Sequence, residues 1–252
     1  MHNHLEDKVA LITGGSRGIG RAVVNKLAQE GCKQFIINYF NSSDIAESFC
    51  KELADKGIKA IAVQANVADP SSVKELIASA KACFDKIDIL VSNAASGVLK
   101  PAMKMSTKHW RWCLETNALA LHLLVQQAVD LMPKGSRVIA LSSMGSHRAI
   151  PNYAFIGASK AALESLVRSL SLELAAQEIS INTISAGVVD TDALKHFPNR
   201  EQLLDRFKQH SLAGRAMTPE DVADAVYLLC RPEAAMIKGQ TIFVDAGYSI
   251  IG

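Results

Sequence analysis

The stretch Thr13-Gly14-Gly15-Ser16-Arg17-Gly18-Ile19-Gly20 follows the first apolar run of the chain and decides its fold. It opens a segment of helical periodicity that extends to about Glu30. Glycines let the backbone turn sharply and approach a pyrophosphate closely, while free amides at the helix N-terminus favour negative charge. A glycine loop between a first strand and a helix therefore predicts a dinucleotide site, to which we assign Gly14, Ser16, Arg17, Gly18, Ile19 and Gly20.

Outward from this loop, short apolar runs alternate with longer segments of three-to-four-residue periodicity. Strands that are apolar on both faces are typical of a parallel sheet, in which right-handed crossovers place helices on either side. We therefore predict one domain over 1–252, an α/β doubly wound parallel sheet (Rossmann fold) of about seven strands. The runs are KVALIT, QFIINY, KAIAVQ, IDILVS, RVIALS, ISINTIS and TIFVDAG.

The alternation is interrupted between Gly187 and about Gly214, before the final helix and strand. Long insertions in compact domains often close over a substrate. We predict a substrate lid at about 188–214. Elsewhere the boundary signals are regular, since Asp69-Pro70 and Thr218-Pro219 are each typical of a helix start.

Composition excludes several classes of protein. The 252 residues are 49% hydrophobic, enough for one buried core, and the net charge of +2 forms no basic stripe, so nucleic acid is not an expected partner. The five cysteines are odd in number and include no CxxC pair, which argues against a disulfide framework and a zinc site. No uninterrupted apolar run approaches the roughly 18 residues of a spanning helix. We expect a cytoplasmic protein with no metal and no membrane partner.

The end of the second strand indicates which dinucleotide binds. An NAD site needs an acidic residue there to accept hydrogen bonds from the adenosine ribose, whereas this strand ends Asn38-Tyr39-Phe40-Asn41-Ser42. Arg17, with Asn41 and Ser42 as neutral donors, instead suits a 2′-phosphate, so we predict NADPH. The alternative is that Arg17 is a solvent-exposed loop arginine.

Further candidate cofactor contacts follow the third and fourth strands. Asn66 and Val67 are placed to meet the adenine edge, and Asn93 and Ala94 of the SNAA segment are placed beside the cofactor's ribose. Each pair is also compatible with an ordinary strand end.

Taken in order, TGGSRGIG, SNAA, Asn117, Ser143 and the GASK segment ending at Lys160 resemble the short-chain dehydrogenase/reductases over essentially the whole chain. The resemblance implies that Ser143 binds the substrate carbonyl. It also implies that Asn117 helps to anchor a water-linked proton path and that Lys160 holds the nicotinamide ribose. In isolation, Asn117 and Ser143 are more typical of structural caps, and a helix lysine such as Lys160 is usually solvated.

The same resemblance assigns the nicotinamide carboxamide to the segment AGVVDT. Its contacts would come from Gly187, Val189 and Thr191. Ala186 stands where the family usually has a proline, so the path of this loop departs from the family pattern.

The largest departure concerns the catalytic tyrosine. The family places it four residues before the lysine, where this chain has Ile156, which cannot donate a proton. Tyr153 precedes Lys160 by seven residues, and seven helical residues turn through about 700°, so both would share one face. If the helix extends back past Pro151 and Asn152, the phenol lies roughly 4 to 5 Å along the axis from the usual site.

A displaced phenol suits the reduction of a 2,3-unsaturated thioester. Hydride adds to C3 while negative charge develops on the thioester oxygen several bonds away, so the acid must follow the oxygen. The spacing from Tyr153 to Lys160, with NAASGVLKP and TDALKHFPNRE, resembles enoyl-acyl-carrier-protein reductase III, the FabL type. This resemblance implies NADPH, an enoyl substrate on acyl carrier protein and a homotetramer, with Tyr153 and Lys160 catalytic and Ser143 beside them.

Three alternatives stay open on the sequence. A 3-oxoacyl thioester or carbonyl reductase shares everything except the tyrosine position, and an enoyl reductase of polyketide assembly performs the same chemistry on another carrier. A noncatalytic NADPH-binding sensor is the third, since Ile156 is also compatible with lost chemistry. In the insertion, Lys195, His196 and Arg200 are candidate contacts for an acidic carrier protein.

Overall fold

Seven strands form one sheet in the computed structural model, which describes residues 4–191, 194 and 200–251. All neighbouring strands are parallel, and each predicted apolar run contains one of them. The predicted doubly wound α/β fold is therefore confirmed. The strands are β1 (Val9–Thr13), β2 (Gln34–Tyr39), β3 (Lys59–Gln64), β4 (Ile89–Ser92), β5 (Arg137–Ser143), β6 (Ser180–Ala186) and β7 (Thr241–Val244).

The strand order is β3-β2-β1-β4-β5-β6-β7, so the winding reverses between β1 and β4. Loops leave the two strands in opposite directions at this reversal and open a crevice at the carboxyl edge of the sheet. The glycine loop begins there, directly after Thr13. The carboxyl edge is therefore the expected ligand-binding edge of the sheet.

Helices cover both faces of the sheet and explain why its strands are apolar on both sides. The helices are α1 (Gly18–Gln29), α2 (Ser43–Ala54), α3 (Pro70–Phe84), α4 (Thr107–Leu114), α5 (Ala120–Ala128), α6 (Ala154–Leu174), α7 (Arg200–His210) and α8 (Pro219–Cys230). Along β1, Ala10 and Ile12 join the core beneath α1, α2 and α8, whereas Val9 and Leu11 join the core beneath α3, α5 and α6. Within the described residues, none of the helices has the length and hydropathy of a membrane span.

The helix starts follow the boundary signals. The Asp69 side chain caps α3 by accepting a hydrogen bond of 2.8 Å from the backbone N–H of Ser72. At α8, Thr218 and Asp221 form a reciprocal capping box. Both caps satisfy N–H groups that a helix leaves without partners in its first turn.

The predicted insertion is only partly described, because residues 192–193 and 195–199 lie outside the described residues. The described part is more regular than the sequence indicates. Val189 forms a parallel bridge with Met217, and α7 occupies residues that we read as irregular. Of the candidate carrier contacts, Lys195 and His196 lie outside the described residues.

Candidate active site

The N-terminus of α1 presents unsatisfied backbone amides at the carboxyl edge of β1. Arg17 is the N-cap residue but its side chain makes no capping hydrogen bond, and the first turn has no acidic residue. Gly14 and Gly18 have left-handed φ angles of 60° and 53°. A Cβ atom on Gly20 would lie 2.3 Å from the carbonyl oxygen of Gly14, so this close turn requires glycine. The loop therefore has the free amides and the open backbone that a pyrophosphate needs.

Two asparagines and a threonine hold this loop from below. Asn93 donates from Nδ2 to the carbonyl of Thr13 (2.8 Å), and Thr13 Oγ1 accepts from the N–H groups of Asn93 (2.9 Å) and Ala94 (3.0 Å). Asn38 Oδ1 accepts from the N–H of Gly14 at 3.4 Å, and its Nδ2 donates to neighbouring strand carbonyls. The Asn93 amide thus supports the loop from within the protein. These hydrogen bonds were not predicted from the sequence. The only signal for them is the presence of polar residues at the ends of neighbouring strands.

The residues predicted to read the adenosine lie farther along the same edge. Arg17 is exposed and forms no ion pair with the described residues, whereas Arg21 on the same helix pairs with Glu52 at 2.6 Å. Asn41 is also exposed, and Ser42 is the N-cap of α2 without a side-chain capping bond. Their polar groups are free to meet a ligand.

The second adenosine pair is more constrained. Asn66 Oδ1 accepts from the N–H of Ala68 at 3.1 Å and closes a local turn, and the side chain of Val67 is buried. This geometry is compatible with an ordinary strand end and with an adenine contact, so the assignment of Asn66 and Val67 to the adenine edge stays a prediction. Ser16, inside the glycine loop, is buried as well.

A cavity of about 430 Å³ opens beside the glycine loop, between the ends of β5 and β6 and helix α7. It brings together six of the predicted site residues: Ile19, Ser143, Tyr153, Gly187, Val189 and Thr191. Thr191 also reaches the glycine loop, because a Cβ on Gly18 would lie 3.7 Å from its Cγ2 atom. The cavity is mostly apolar and is of the size typical of small-molecule sites.

Two hydroxyl groups face each other in this cavity. The Oγ of Ser143 and the phenol oxygen of Tyr153 are 3.2 Å apart, within hydrogen-bonding distance. Ser143 ends β5, and its Oγ also accepts from the N–H of Gly145 at 3.3 Å. The pair can therefore present a donor to a substrate oxygen.

Tyr153 lies one residue before α6, as its N-cap. Asn152 has a left-handed φ of 62°, which ends the helical conformation at this point. The carbonyl of Tyr153 nevertheless accepts from the N–H of Gly157 at 2.8 Å and so closes the first turn. The helix thus does not extend past Pro151, although its hydrogen bonding starts at Tyr153.

The phenol is shielded from water, and burial raises the pKa of Tyr153, partly offset by the hydrogen bond with Ser143. A raised pKa keeps the hydroxyl protonated at neutral pH. Tyr153 is therefore a donor, the form that a general acid requires.

Two glycines give the tyrosine ring its position, and sequence analysis did not identify them. A Cβ on Gly145 would lie 2.5 Å from both Cδ1 and Cε1 of Tyr153. A Cβ on Gly157 would lie 2.5 Å from the carbonyl oxygen of Gly145. The absence of both side chains lets the turn after β5 lie against α6 with the ring between them.

Ile156 occupies the position where the family has its tyrosine. The side chain is 9% exposed, and a Cβ on Gly97 would lie 2.3 Å from its Cγ1 atom. The side chain of Ile156 therefore packs against Gly97 and places no hydroxyl group at the position of the family's tyrosine. The sequence argument that the usual proton donor is missing agrees with this packing.

Lys160 is buried at 5% exposure and is not among the residues that line the cavity. Its Nζ donates to the carbonyl of Leu141 at 2.7 Å. Burial lowers the pKa of Lys160 to about 8, because a charged ammonium loses its hydration there.

Asn117 lies in a π-helical turn, Glu115–Leu119, between α4 and α5. Its Oδ1 accepts from the N–H of Ser96, and its Nδ2 donates to the Ser96 carbonyl and to Ser159 Oγ, each at 2.9 Å. Asn117 thus ties the loop after β4 to α6, one residue before Lys160. π-Helical turns inside α-helices frequently mark functional sites.

The rim of the cavity carries two arginines and a histidine that were not predicted from the sequence. Arg206 and His210 lie four residues apart on one face of α7, and Arg148 approaches from the turn after β5 and donates to the carbonyl of Tyr248 at 3.3 Å. The spacing on α7 was the available signal, but the sequence does not show which face of the helix meets the cavity. Arg200, the described candidate for carrier contact, instead bonds Asp190 at 2.6 Å.

Comparison with known proteins gives matches over nearly the whole chain. Residues 14–249 match a family model described as enoyl-(acyl carrier protein) reductase. A 1-cyclohexenylcarbonyl-CoA reductase of Streptomyces collinus is 38% identical over 97% of this chain and 88% of its own length. A 3-oxoacyl-[acyl-carrier-protein] reductase of Staphylococcus aureus is 33% identical over 95% of this chain and 97% of its own length.

Solved structures of the same architecture superpose closely. A short-chain dehydrogenase/reductase from Serratia marcescens has a TM-score of 0.90 and 31% identity, covering 97% of this chain and 99% of its own. A blue fluorescent protein from a metagenomic library, solved in complex with NADPH, has a TM-score of 0.89 and 30% identity over the same shares.

Proposed function

Because the chain belongs to the short-chain dehydrogenase/reductase family, we propose that it uses NADPH to reduce the C2=C3 double bond of trans-2-enoyl thioesters on acyl carrier protein. One observation carries the proposal. The phenol of Tyr153 meets Ser143 in the cavity, while Ile156, at the family's tyrosine position, has no proton to donate.

The cofactor is NADPH, and the carboxyl edge of the sheet fits it. The uncapped N-terminus of α1 offers its amides to the pyrophosphate, with the close turn at Gly20. The segment Phe40-Asn41-Ser42-Ser43 after β2 contains no carboxylate, and Arg17, which forms no ion pair with the described residues, suits the 2′-phosphate with Asn41 and Ser42. Relatives of the same fold bind NADPH or NADP. At the nicotinamide end, we assign the carboxamide to Gly187, Val189 and Thr191, which line the cavity.

NADPH, when bound, supplies a hydride to C3 of the substrate. Negative charge then develops on the thioester oxygen, and we assign the neutralising hydrogen bond to the phenol of Tyr153, with Ser143 Oγ as the second donor. The enolate would then take a proton at C2 from the phenol, which regains one from water, so that hydride and proton together replace the C2=C3 π bond with two C–H bonds. The raised pKa of Tyr153 suits a donor that must stay protonated until this step.

We assign Lys160 to the cofactor ribose and to the positive charge behind the phenol. We assign Asn117 to the water-linked proton path. Its amide is occupied by Ser96 and Ser159, so a water in that path would meet the backbone of the π-helical turn.

The S. collinus relative supports reduction of a conjugated thioester, because its name describes a double bond beside a thioester carbonyl. The same name favours a second candidate, an enoyl reductase acting on coenzyme A or on a polyketide carrier. The S. aureus relative and the Ser143–Tyr153 pair favour a third, a 3-oxoacyl thioester reductase, since this pair also suits a carbonyl oxygen.

A carrier-linked substrate needs room for an apolar chain and a contact for an anionic arm. The apolar cavity and its rim of Arg148, Arg206 and His210 supply both, and we propose this rim for the carrier. We further propose that 188–214 acts as a lid, that the protein is a homotetramer and that it works in the cytoplasm. Light scattering at micromolar concentration tests the assembly, and a monomer would refute it.

The proposed reaction is tested by following NADPH oxidation with trans-2-enoyl and 3-oxoacyl thioesters, each on acyl carrier protein and on coenzyme A. Wild type should turn over the enoyl substrates. Tyr153→Phe should lose about 10²- to 10⁴-fold in kcat, the usual contribution of a general acid, with the NADPH Kd unchanged. Tyr227→Phe is the matched control, because Tyr227 lies on α8 outside the cavity and should retain full activity.

The outcomes separate the candidates. Activity confined to the 3-oxoacyl thioester would overturn the proposal in favour of carbonyl reduction. A preference for coenzyme A over acyl carrier protein would replace the carrier but keep the chemistry. NADPH binding without turnover of any of these substrates would favour the sensor.

A further inference from the structure

A second pair of polar groups joins β5 to α6 beside Lys160, and the reaction described above leaves it unused. The Oγ of Ser142 donates to Oε1 of Glu164 at 2.5 Å, the length of a charge-assisted hydrogen bond to a carboxylate. Ser142 is buried and Glu164 is half-buried. Glu164 follows Lys160 by four residues on α6, so both side chains face β5.

The two contacts are consecutive along the strand. Lys160 donates to the carbonyl of Leu141, and the next residue, Ser142, holds Glu164. The strand thus fixes an ammonium and a carboxylate one helical turn apart on the same helix.

We propose that Glu164, held by Ser142, is a positioning residue that keeps a compensating negative charge beside the ammonium of Lys160. The proposal rests on the assignment of Lys160 to the reaction, and it adds a residue that neither the sequence motifs nor the family match identifies. A buried cation is costly unless it is hydrogen-bonded and its charge is compensated. Glu164 forms no direct ion pair with Lys160, and it supplies the negative charge that the Leu141 carbonyl lacks from one helical turn away.

Among the described residues, the other polar groups on the neighbouring elements are neutral or exposed. From β5 come the Leu141 carbonyl and the Ser142 hydroxyl, and from β6 the hydroxyls of Thr183 and Ser185. The π-helical turn contributes the neutral amide of Asn117, and its carboxylate, Glu115, is exposed.

Two more titratable groups, one at the start of α6 and one on α4, are neutral at pH 7. Burial raises the pKa of Tyr153, before α6, and of the Cys113 thiol on α4, so neither provides a negative charge. Among the described residues, the field that opposes the desolvation of Lys160 comes from Glu164.

The Glu164 carboxylate changes the pKa of Lys160 in a definite direction. Burial lowers the pKa of Lys160 to about 8, and Glu164 raises it. Removing the carboxylate therefore lowers the pKa further, so that less of Lys160 carries its charge at a given pH above neutrality.

Glu164→Gln tests the charge, because glutamine keeps the size of the side chain and an oxygen that accepts from Ser142. If the reaction needs protonated Lys160, the alkaline limb of kcat against pH should move to lower pH by roughly half a unit or more. Glu173→Gln, the same change at an exposed site on the same helix, should leave the limb in place.

A second readout needs neither substrate nor cofactor. Because the pKa of Lys160 is lower in the folded chain than its ordinary 10.5, the unfolding free energy rises with pH from about 8 to 10.5. In Glu164→Gln this rise should begin at lower pH, and urea unfolding between pH 6 and 10 measures it against Glu173→Gln.

Ser142→Ala tests the positioning, with Ser185→Ala as its control. Ser185 lies opposite Ser142 in the β5–β6 register, and its Oγ has no hydrogen-bond partner among the described residues. Ser142→Ala should shift the limb and the unfolding curve in the same direction as Glu164→Gln but by less, whereas Ser185→Ala should shift neither.

Curves for Glu164→Gln that superpose on those of Glu173→Gln would overturn the proposal. An effect of Glu164→Gln without one of Ser142→Ala would refute the holding role of the serine. The unfolding readout does not depend on turnover, so a failure of the enoyl reductase function and a failure of this inference are distinguishable.

Discussion

The cofactor edge and the β5–α6 region differ in what they offer a ligand. At the ends of β1, β2 and β4, the polar side chains of Asn38 and Asn93 are engaged by the protein itself, and most of the free groups are backbone amides, beside the exposed side chain of Arg17. At the end of β5 and the start of α6, the groups that face the cavity are side chains, the paired hydroxyls of Ser143 and Tyr153.

This difference teaches where each function is vulnerable. A backbone site is destroyed by any side chain that fills the turn, whatever its polarity. In a site made of side chains, the loss or displacement of one group changes the activity and leaves the fold intact. The following substitutions test that contrast, in decreasing order of effect.

Gly20→Ala should nearly abolish NADPH binding. The new Cβ would lie 2.3 Å from the carbonyl of Gly14, a backbone atom that cannot move without opening the loop. We expect a loss of 100-fold or more in NADPH affinity, measured by fluorescence titration, because the amides no longer converge. Gly135→Ala is the control, since its Cβ would meet no atom within 4 Å. Its left-handed φ of 84° should cost about 1 kcal/mol of stability and no affinity. Equal affinities for the two variants would break the contrast.

Gly145→Ala should impair turnover while leaving NADPH binding intact. Its Cβ would lie 2.5 Å from the ring of Tyr153, so the ring must shift away from Ser143. A displacement of about 1 Å at a reacting group costs on the order of 100-fold. We expect kcat to fall by about 10- to 100-fold, measured under saturating NADPH.

The same substitution in a Tyr153→Phe background shows whether the glycine acts through the phenol. If it does, the second change adds little to the first, and the two effects are far from additive. Additive losses would mean that Gly145 supports the site by another route.

Arg17→Ala should have the smallest effect, on the choice of cofactor alone. Loss of one charge-assisted contact to a phosphate should weaken NADPH binding about tenfold and leave NADH binding unchanged. Arg21→Ala removes the same charge from the same helix, but Arg21 is engaged by Glu52, so the NADPH-to-NADH ratio of Kd values should not change. A parallel loss of affinity for both cofactors in Arg17→Ala would show that it does not read the 2′-phosphate.

Local signals predicted much of the molecule. The strands follow from apolar runs because both faces of a parallel sheet are buried, and α3 and α8 begin where Asp69 and Thr218 cap them. The glycine loop could also be predicted from the sequence, since its turn depends on residues adjacent in the chain.

Contacts between distant residues could not be predicted in this way. The position of the Tyr153 ring depends on Gly145, which precedes Pro151 in the chain. The hydrogen bond between Ser142 and Glu164 joins residues 22 positions apart. The face that α7 turns to the cavity likewise depends on packing, so Arg206 was missed.

The sequence by itself determined the order of the elements, the backbone cradle after β1 and the absence of a hydroxyl at position 156, because each is a property of neighbouring residues. Only the tertiary structure decided that Tyr153 lies at the N-cap of α6, against Gly145 and beside Ser143. The physical reason is that the position of the phenol is set by how closely the turn after β5 approaches α6. That approach is governed by the size of side chains contributed by separate segments, which no spacing along the chain encodes.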